Sequence, residues 1–267
     1  VLILSAKKFY ANAQAYDLAF SDREFDTECD FLIYCLEKYG KLKNQDEKSY
    51  LEMACGPARH AREFAKRGWR SVGLDISEDM IAYAFDETKK ENLNVEYLVA
   101  DMVKFKLNKK VALATTLMES IAHLVTNEQM VAHFKSVAKN LKKGGLYIIE
   151  ATHPMFFFPD GEANTWKTRV NGTHVEVTFG LPTDHYDSVT QQWMLTSKLH
   201  IKQKNGADIV TEARHPVRWY LAQEMRALIE LSGVWSKYWF FGSMYFTPPK
   251  PLDDSEDSDA MVIVLRK

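Results

Sequence analysis

The run Tyr50-Leu-Glu-Met-Ala-Cys-Gly-Pro-Ala-Arg59, followed by Val72-Gly-Leu-Asp75, limits what this chain can become more than any other stretch. It reads as an apolar strand, a glycine turn, a helix and a second strand ending in an acid, which is half of a nucleotide-binding α/β unit. Gly56 allows positive φ and close approach of a ligand, and a β-carbon would obstruct both. The helix after it turns free backbone N–H groups toward whatever occupies the turn. Asp75 stands 19 residues after Gly56, the spacing at which a carboxylate accepts two hydrogen bonds from a ribose diol. A ligand carrying a ribose is expected here.

Strand and helix patterns alternate around this unit. Tyr50–Ala54, Trp69–Leu74, Val95–Val99, Val111–Leu117 and Leu146–Glu150 read as strands. Between them Arg59–Arg67, Ser77–Lys90 (with Ser77 as N-cap) and Asn127–Leu141 read as helices, the last closed by Gly144-Gly145. Strict alternation implies right-handed crossovers and a parallel sheet. Two helices precede it, Ala6–Ala19 and Asp26–Tyr39. From His174 to Arg218 the period drops to two, with Asn205-Gly206 as a hairpin turn, so this stretch reads as antiparallel strands. A helix at Leu221–Leu231 and strands at Val234–Phe241 and Ala260–Leu265 follow. The expected fold is α/β: a doubly wound, seven-stranded, mostly parallel sheet, Rossmann-like with a reversed last strand, and a small antiparallel β lobe inserted after strand 5. The expected division is N-terminal cap helices at 1–40, a ligand-binding domain at 41–155 and 219–267, and the inserted lobe at 156–218.

Composition excludes several classes of partner. A net charge of −2 without a basic block disfavours a nucleic-acid backbone. Cys29, Cys35 and Cys55 are an odd set without metal spacing, which suggests a reducing compartment, the cytoplasm, and no metal. Val1-Leu-Ile-Leu4 is too short for a signal peptide or membrane span, and the first residue, Val1, suggests a trimmed N-terminus.

The details of the turn separate one nucleotide from another. A dinucleotide fingerprint needs three glycines so that a pyrophosphate can press against bare backbone. Here Gly56 stands alone between Ala54 and Ala58, and Glu52 lies near the end of the strand. A carboxylate repels a pyrophosphate and suits an ammonium group. No Gly-Lys-Ser/Thr follows, so a P-loop is excluded. The pattern Glu-x-Ala-Cys-Gly-x-Ala resembles the first motif of class I S-adenosylmethionine-dependent methyltransferases. That resemblance implies S-adenosyl-L-methionine as cofactor and S-adenosyl-L-homocysteine as product, with Glu52, Ala54, Gly56 and Asp75 around the methionine and ribose. Ligands of open parallel sheets sit beyond the C-terminal strand ends. Asp101 is then placed to accept from the adenine amino group, or to cap a turn. Met102 and Leu117 would line the site, and Ile76 and Met80 would sandwich the ring or pack in the core. Tyr10 and Tyr16, on the first helix, would close over the cofactor.

A closer likeness lies after the fourth strand. Thr116-Leu-Met-Glu-Ser-Ile-Ala-His-Leu124 is similar to the corresponding segment of glycine N-methyltransferase-like enzymes and sugar amine N,N-dimethyltransferases, in which a small residue precedes a His by three; Ser120 and His123 match. Tyr97-Leu-Val-Ala-Asp-Met-Val-Lys-Phe105 resembles the third motif of the sugar amine enzymes. The likeness extends to Tyr16-Asp17-Leu18, to Leu141–Glu150 and to the period-two insertion, while Pro57 and Ala58 depart from the commoner Thr-Gly. No Asp-x-x-Asp-Asn metal set or Asn/Asp-Pro-Pro-Tyr signature follows the fourth strand. The resemblance therefore implies N-methylation of a small soluble amine: an amino acid, a simple amine or an amino sugar. His123, as proton acceptor, and Tyr16, closing the pocket, are the candidate catalytic residues. Ser120, His123, His153, Phe156 and Arg218 are the candidate substrate contacts, with Phe157 and Phe158 extending an aromatic wall that suits an ammonium. The inserted lobe could also pack a homodimer. Two rival readings remain: O-methylation with His123 as base, and a catalytically silent partner subunit of the same fold.

Overall fold

Neighbouring residues on the central strands point to opposite faces, and both faces are buried. On β1 (Ser49–Met53) Leu51 and Met53 enter one core and Tyr50 the other. On β12 (Ala260–Arg266) Met261, Ile263 and Leu265 enter the first, and Val262 and Val264 the second. Such continuous apolar runs require helices on both sides. The computed structural model describes residues 13–43, 48–156, 163–170, 172–204, 206 and 208–267. The other strands of this sheet are β2 (Arg70–Asp75), β3 (Val95–Val99), β4 (Val111–Thr116), β5 (Leu141–Thr152) and β11 (Lys237–Phe241). Their order is β11-β12-β5-β4-β1-β2-β3. Pairing is parallel from β3 through to β5, whereas β12 runs antiparallel to both β5 and β11. This is the expected seven-stranded sheet with its reversed strand.

The chain divides into two units, residues 24–157 with 219–267 and residues 1–23 with 158–218. In the larger unit α2 (Phe25–Tyr39), α3 (Arg59–Lys66) and α4 (Glu78–Lys90) contribute Phe31, Leu32, Phe64 and Ala84 to one core. The opposite core takes Met130, Phe134 and Val137 of α5 (Asn127–Asn140) and Met225, Leu228 and Ile229 of α6 (Ala222–Ser232). Ser77 caps α4 as expected, its hydroxyl accepting from the Met80 N–H at 3.3 Å.

The smaller unit is a five-stranded antiparallel sheet, ordered β10-β9-β7-β6 with β8 paired to β9. Its strands are β6 (Asn164–Val170), β7 (Thr173–Phe179), β8 (Tyr186–Asp187), β9 (Gln192–Lys202) and β10 (Asp208–Val217). The strands thus begin before His174. In the β9–β10 turn Gly206 has φ 87°, and Asn205 lies outside the described residues. Helix α1 (Ala13–Ala19) packs Ala15 and Ala19 against Val175, Val177, Leu199 and Ile201.

Two expectations change. The described part of the expected 1–40 cap does not act as one piece: α1 buries its small residues on the antiparallel sheet, while α2 buries Cys29, Phe31 and Leu32 on the parallel one. The Gly144-Gly145 pair does not close α5 either. That helix ends at Asn140, and both glycines lie inside β5 at a register shift against β4. A Cβ at Gly144 would stand 2.1 Å from the Lys41 carbonyl oxygen, and one at Gly145 2.6 Å from that of Ala112. Close backbone approach, not chain termination, requires glycine there. Among the described residues no helix is long and apolar enough to cross a membrane.

Candidate functional site

The register aligns Met53 with both Leu74 and Thr116, and Asp75 with Val99. The glycine turn, Asp75, Asp101 and the segment after β4 therefore share one C-terminal edge of the sheet. Its strand order reverses between β1 and β4, which is where open α/β sheets bind ligands.

Asp75 is the centre of the turn. One carboxylate oxygen accepts the Gly56 N–H at 2.8 Å and the other the Ser77 N–H at 2.8 Å. Each oxygen keeps a second lone pair for a ligand hydroxyl. Burial raises the Asp75 carboxyl above its ordinary range, although the N–H groups of Ser77, Gly56 and Ile76 oppose the rise. Ile76, next to it, is 71% exposed, an apolar face suited to a flat ring. Met80 is 1% exposed and belongs to the interior, so the expected sandwich loses one of its two sides. Leu117 is likewise a core side chain; its carbonyl accepts from the Ser120 N–H at 3.2 Å.

Ala54 (φ 51°), Gly56 (φ 48°) and Ala58 (φ 56°) all adopt the left-handed conformation. Two alanines thus occupy backbone that favours glycine, at about 1–2 kcal/mol each. Ala54→Gly should raise stability by about 1 kcal/mol, net of the greater chain entropy of glycine, and Tm by about 2–4 °C. A melting curve followed by circular dichroism checks this; an unchanged or lower Tm would show the turn carries no such strain.

Glu52, expected beside the methionine end of the cofactor, is buried and already hydrogen-bonded within the fold. It is 6% exposed, with one oxygen 3.1 Å from His60 Nδ1 and the other accepting the Ala61 N–H at 2.8 Å. His60 Nε2 lies 2.6 Å from a carboxylate oxygen of Glu28, whose other oxygen accepts the Tyr245 hydroxyl at 3.0 Å. Burial alone would lower the His60 pKa, but Glu28 and Glu52 overcome it and lift the value to about 9. His60 is therefore an imidazolium near neutral pH.

On the far side of the sheet a second buried histidine is neutral. His133 Nδ1 lies 2.8 Å from the Met102 carbonyl oxygen and Nε2 2.6 Å from the Tyr147 hydroxyl, itself 2.8 Å from Thr116 Oγ1. A carbonyl can only accept, so Nδ1 carries the proton. Burial holds the His133 pKa down to about 4. Met102 is thereby tied to the end of β4. Asp101 is exposed and caps its own turn, one oxygen accepting the Val103 N–H at 2.8 Å.

After β4 the backbone turns sharply, with Met118 (φ 53°) and Glu119 (φ 58°) both left-handed. The Met118 N–H donates to Glu150 at 2.7 Å, and the Tyr220 hydroxyl donates to the Leu124 carbonyl. Held at both ends, the short 3-10 helix Ser120–His123 presents a half-buried Ser120 and an exposed His123. His153 proves structural: it is 2% exposed, its Nδ1 accepts the Met155 N–H at 3.2 Å, and its Nε2 faces the Asp253 carbonyl oxygen at 3.0 Å. Both ring nitrogens are therefore spent, and it offers nothing to a substrate. Phe156 is half exposed, with its ring 6.0 Å from that of His153. Tyr10, Phe157 and Phe158 lie outside the described residues. Tyr16 and Arg218 belong to the smaller unit, where Tyr16 packs on Phe20 at 4.9 Å and the buried Arg218 donates to Gln191 at 2.7 Å.

The sequence reading missed His60, Glu28, Tyr245, His133, Glu150 and Tyr220. Of these His60, four residues past Gly56 on the helix after the turn, carried a local signal; the others meet the site through distant pairings. Among the described residues no cluster of three or more His, Cys, Asp or Glu is placed to hold a metal ion.

Comparison with known proteins places this edge in a family. Residues 51–145 match the family described as "Methyltransferase domain". A dTDP-3-amino-3,4,6-trideoxy-alpha-D-glucopyranose N,N-dimethyltransferase of Streptomyces venezuelae is 27% identical over 155 residues, covering 58% of this chain and 61% of that enzyme. The chain thus spans about three-fifths of that relative's length. A cypemycin N-terminal methyltransferase of a Streptomyces species is 23% identical over 191 residues, 71% of this chain and 73% of the other. Among solved structures, an S-adenosylmethionine-dependent methyltransferase from Clostridium acetobutylicum superposes with a TM-score of 0.73 at 16% identity, over 95% of this chain and 96% of its own. The chain thus carries a methyltransferase domain on this sheet edge, in the fold of S-adenosylmethionine-dependent methyltransferases.

Proposed function

We propose that this protein methylates the amine of a small soluble molecule, with S-adenosylmethionine as donor, in a cytoplasmic setting. The observation that carries the reading is Asp75: a buried carboxylate at the end of β2, oriented by the Gly56 and Ser77 N–H groups, with exposed Ile76 beside it. Those residues fit a ribose and an adenine ring. Asp101 would take the adenine amino group and Glu52 the ammonium of the methionine end. When bound, the cofactor supplies a methyl group already activated on a sulfonium. What remains for the protein is to align a nucleophile and exclude water. A neutral amine needs no strong base, only positioning and one acceptor for the proton it releases. Ser120 and His123 are the groups proposed to supply these, on a segment fixed by Glu150 and Tyr220. The two relatives described above are named as an amino sugar N,N-dimethyltransferase and as an N-terminal methyltransferase, which favours nitrogen as the acceptor.

Radiolabelled methyl transfer to a panel of amino sugars, amino acids, simple amines and hydroxylated analogues tests the proposal. Transfer to an amine supports it, transfer to hydroxyl compounds alone favours O-methylation, and no thermal stabilisation by millimolar S-adenosylhomocysteine would sink the cofactor assignment. His123→Ala should cut turnover about tenfold, the worth of one hydrogen bond, with cofactor affinity unchanged. Unaltered turnover would remove His123 from the mechanism.

A further inference from the structure

A hydrogen-bonded chain links Glu52 to His60, Glu28 and Tyr245, and the reaction as proposed makes no use of its outer members. Its geometry is lopsided. One imidazole bridges two carboxylates, 2.6 Å from Glu28 but 3.1 Å from Glu52. Hydrogen bonds weaken with distance, so the proton-rich ring is committed more strongly to Glu28. Glu52, near the end of β1, keeps the longer contact and the Ala61 N–H. A buried carboxylate only partly compensated is costly, and a ligand cation relieves that cost. Tyr245, on the 242–246 loop, fixes Glu28 from outside, and Phe25 packs edge-on against the His60 ring at 5.0 Å. The plane of the imidazole is therefore set by four elements: α2, β1, α3 and that loop.

We propose that His60, clamped between Glu28 and Glu52, is a positioning residue that aims the Glu52 carboxylate at the ammonium of the cofactor's amino-acid end and so lets the site distinguish adenosyl amino acids from simple thioadenosines. The proposal rests on the cofactor reading above. It assigns the discrimination to residues that never touch the ligand. S-Adenosylhomocysteine carries the ammonium and 5′-methylthioadenosine lacks it, while both keep the ribose and adenine that Asp75 and Ile76 serve.

Calorimetric titration of the two ligands into the full chain tests this. His60→Asn should weaken S-adenosylhomocysteine about tenfold and leave 5′-methylthioadenosine within twofold. Tyr245→Phe, at a partly exposed position that leaves the buried ion pair intact, should shift the same ratio about threefold and decides the matter if His60→Asn does not fold. Equal losses for both ligands would mean a merely structural role and overturn the proposal, as would an unchanged ratio in both variants. If the wild type does not bind S-adenosylhomocysteine, the cofactor reading fails and takes this proposal with it; if it binds S-adenosylhomocysteine and both variants keep the wild-type ligand ratio, this proposal fails alone.

Discussion

Asp75→Ala is expected to weaken S-adenosylhomocysteine binding roughly a thousandfold. A hydrogen bond to a charged group contributes about 1.5–3 kcal/mol, and the ribose diol would make two. Their loss, about 4 kcal/mol, is a factor of about 10³ in Kd. The same carboxylate accepts the Gly56 and Ser77 N–H groups, so truncation also leaves backbone donors at the turn without their partner. That costs a further ~1–3 kcal/mol of folding stability. Asp75→Asn separates the effects, since it retains one acceptor oxygen and no charge. Its melting curve should fall less than that of the alanine variant, because one backbone N–H keeps its acceptor while the other faces the amide NH2. Its affinity should drop by one to two orders of magnitude, about half the alanine loss. Calorimetric titration alongside circular dichroism reads both quantities. An Asp75→Ala protein that stays folded and binds with wild-type affinity would show that Asp75 only caps the turn.

Stability should peak near pH 6.5 and fall on both sides, because the two buried histidines are perturbed in opposite directions. His60 is raised from 6.5 to about 9 by Glu28 and Glu52 acting against burial. The folded state then holds a proton that the unfolded state has lost, so its contribution is complete below pH 6.5 and disappears as pH rises through 9. His133 is lowered from 6.5 to about 4 by burial. Here the unfolded state binds the extra proton, and stability falls as pH drops from 6.5 toward 4. Each difference corresponds to about 3 kcal/mol at full development. Asp75, raised by burial, acts in the opposite sense in the acid range, which makes that limb the shallower. Above pH 9 the buried thiols of Cys29, Cys35 and Cys55, all raised by burial, steepen the alkaline limb. Urea denaturation at pH 5, 6.5 and 9 measures the profile. His133→Gln should flatten the acid limb only, and a wild-type stability that does not change over this range would refute the charge assignment of both rings.

How far the sequence reached depends on how local each cause is. The parallel sheet was legible because burial on two faces leaves continuous apolar strands, and the reversal at β12 because β11 and β12 are neighbouring strands at the chain's end. The turn at Gly56 and the acid of Asp75 were legible for the same reason: their spacing is covalent. Gly144-Gly145 misled because a glycine pair reads alike whether it ends a helix or admits a carbonyl, and the carbonyls of Lys41 and Ala112 come from other elements. His153 looked available until Asp253, 100 residues later, took its ring.

By itself, then, the sequence determined the order of the elements, the parallel sheet and the position of the nucleotide turn, all of which follow from periodicity and spacing along a few adjacent residues. Only the tertiary structure decided which polar groups are already committed. It tied Glu52 to His60, His60 to Glu28, and Glu28 to Tyr245 across 217 residues. Hydrogen bonds and desolvation act through space, and no local pattern in the chain records which distant side chain will stand three ångströms away.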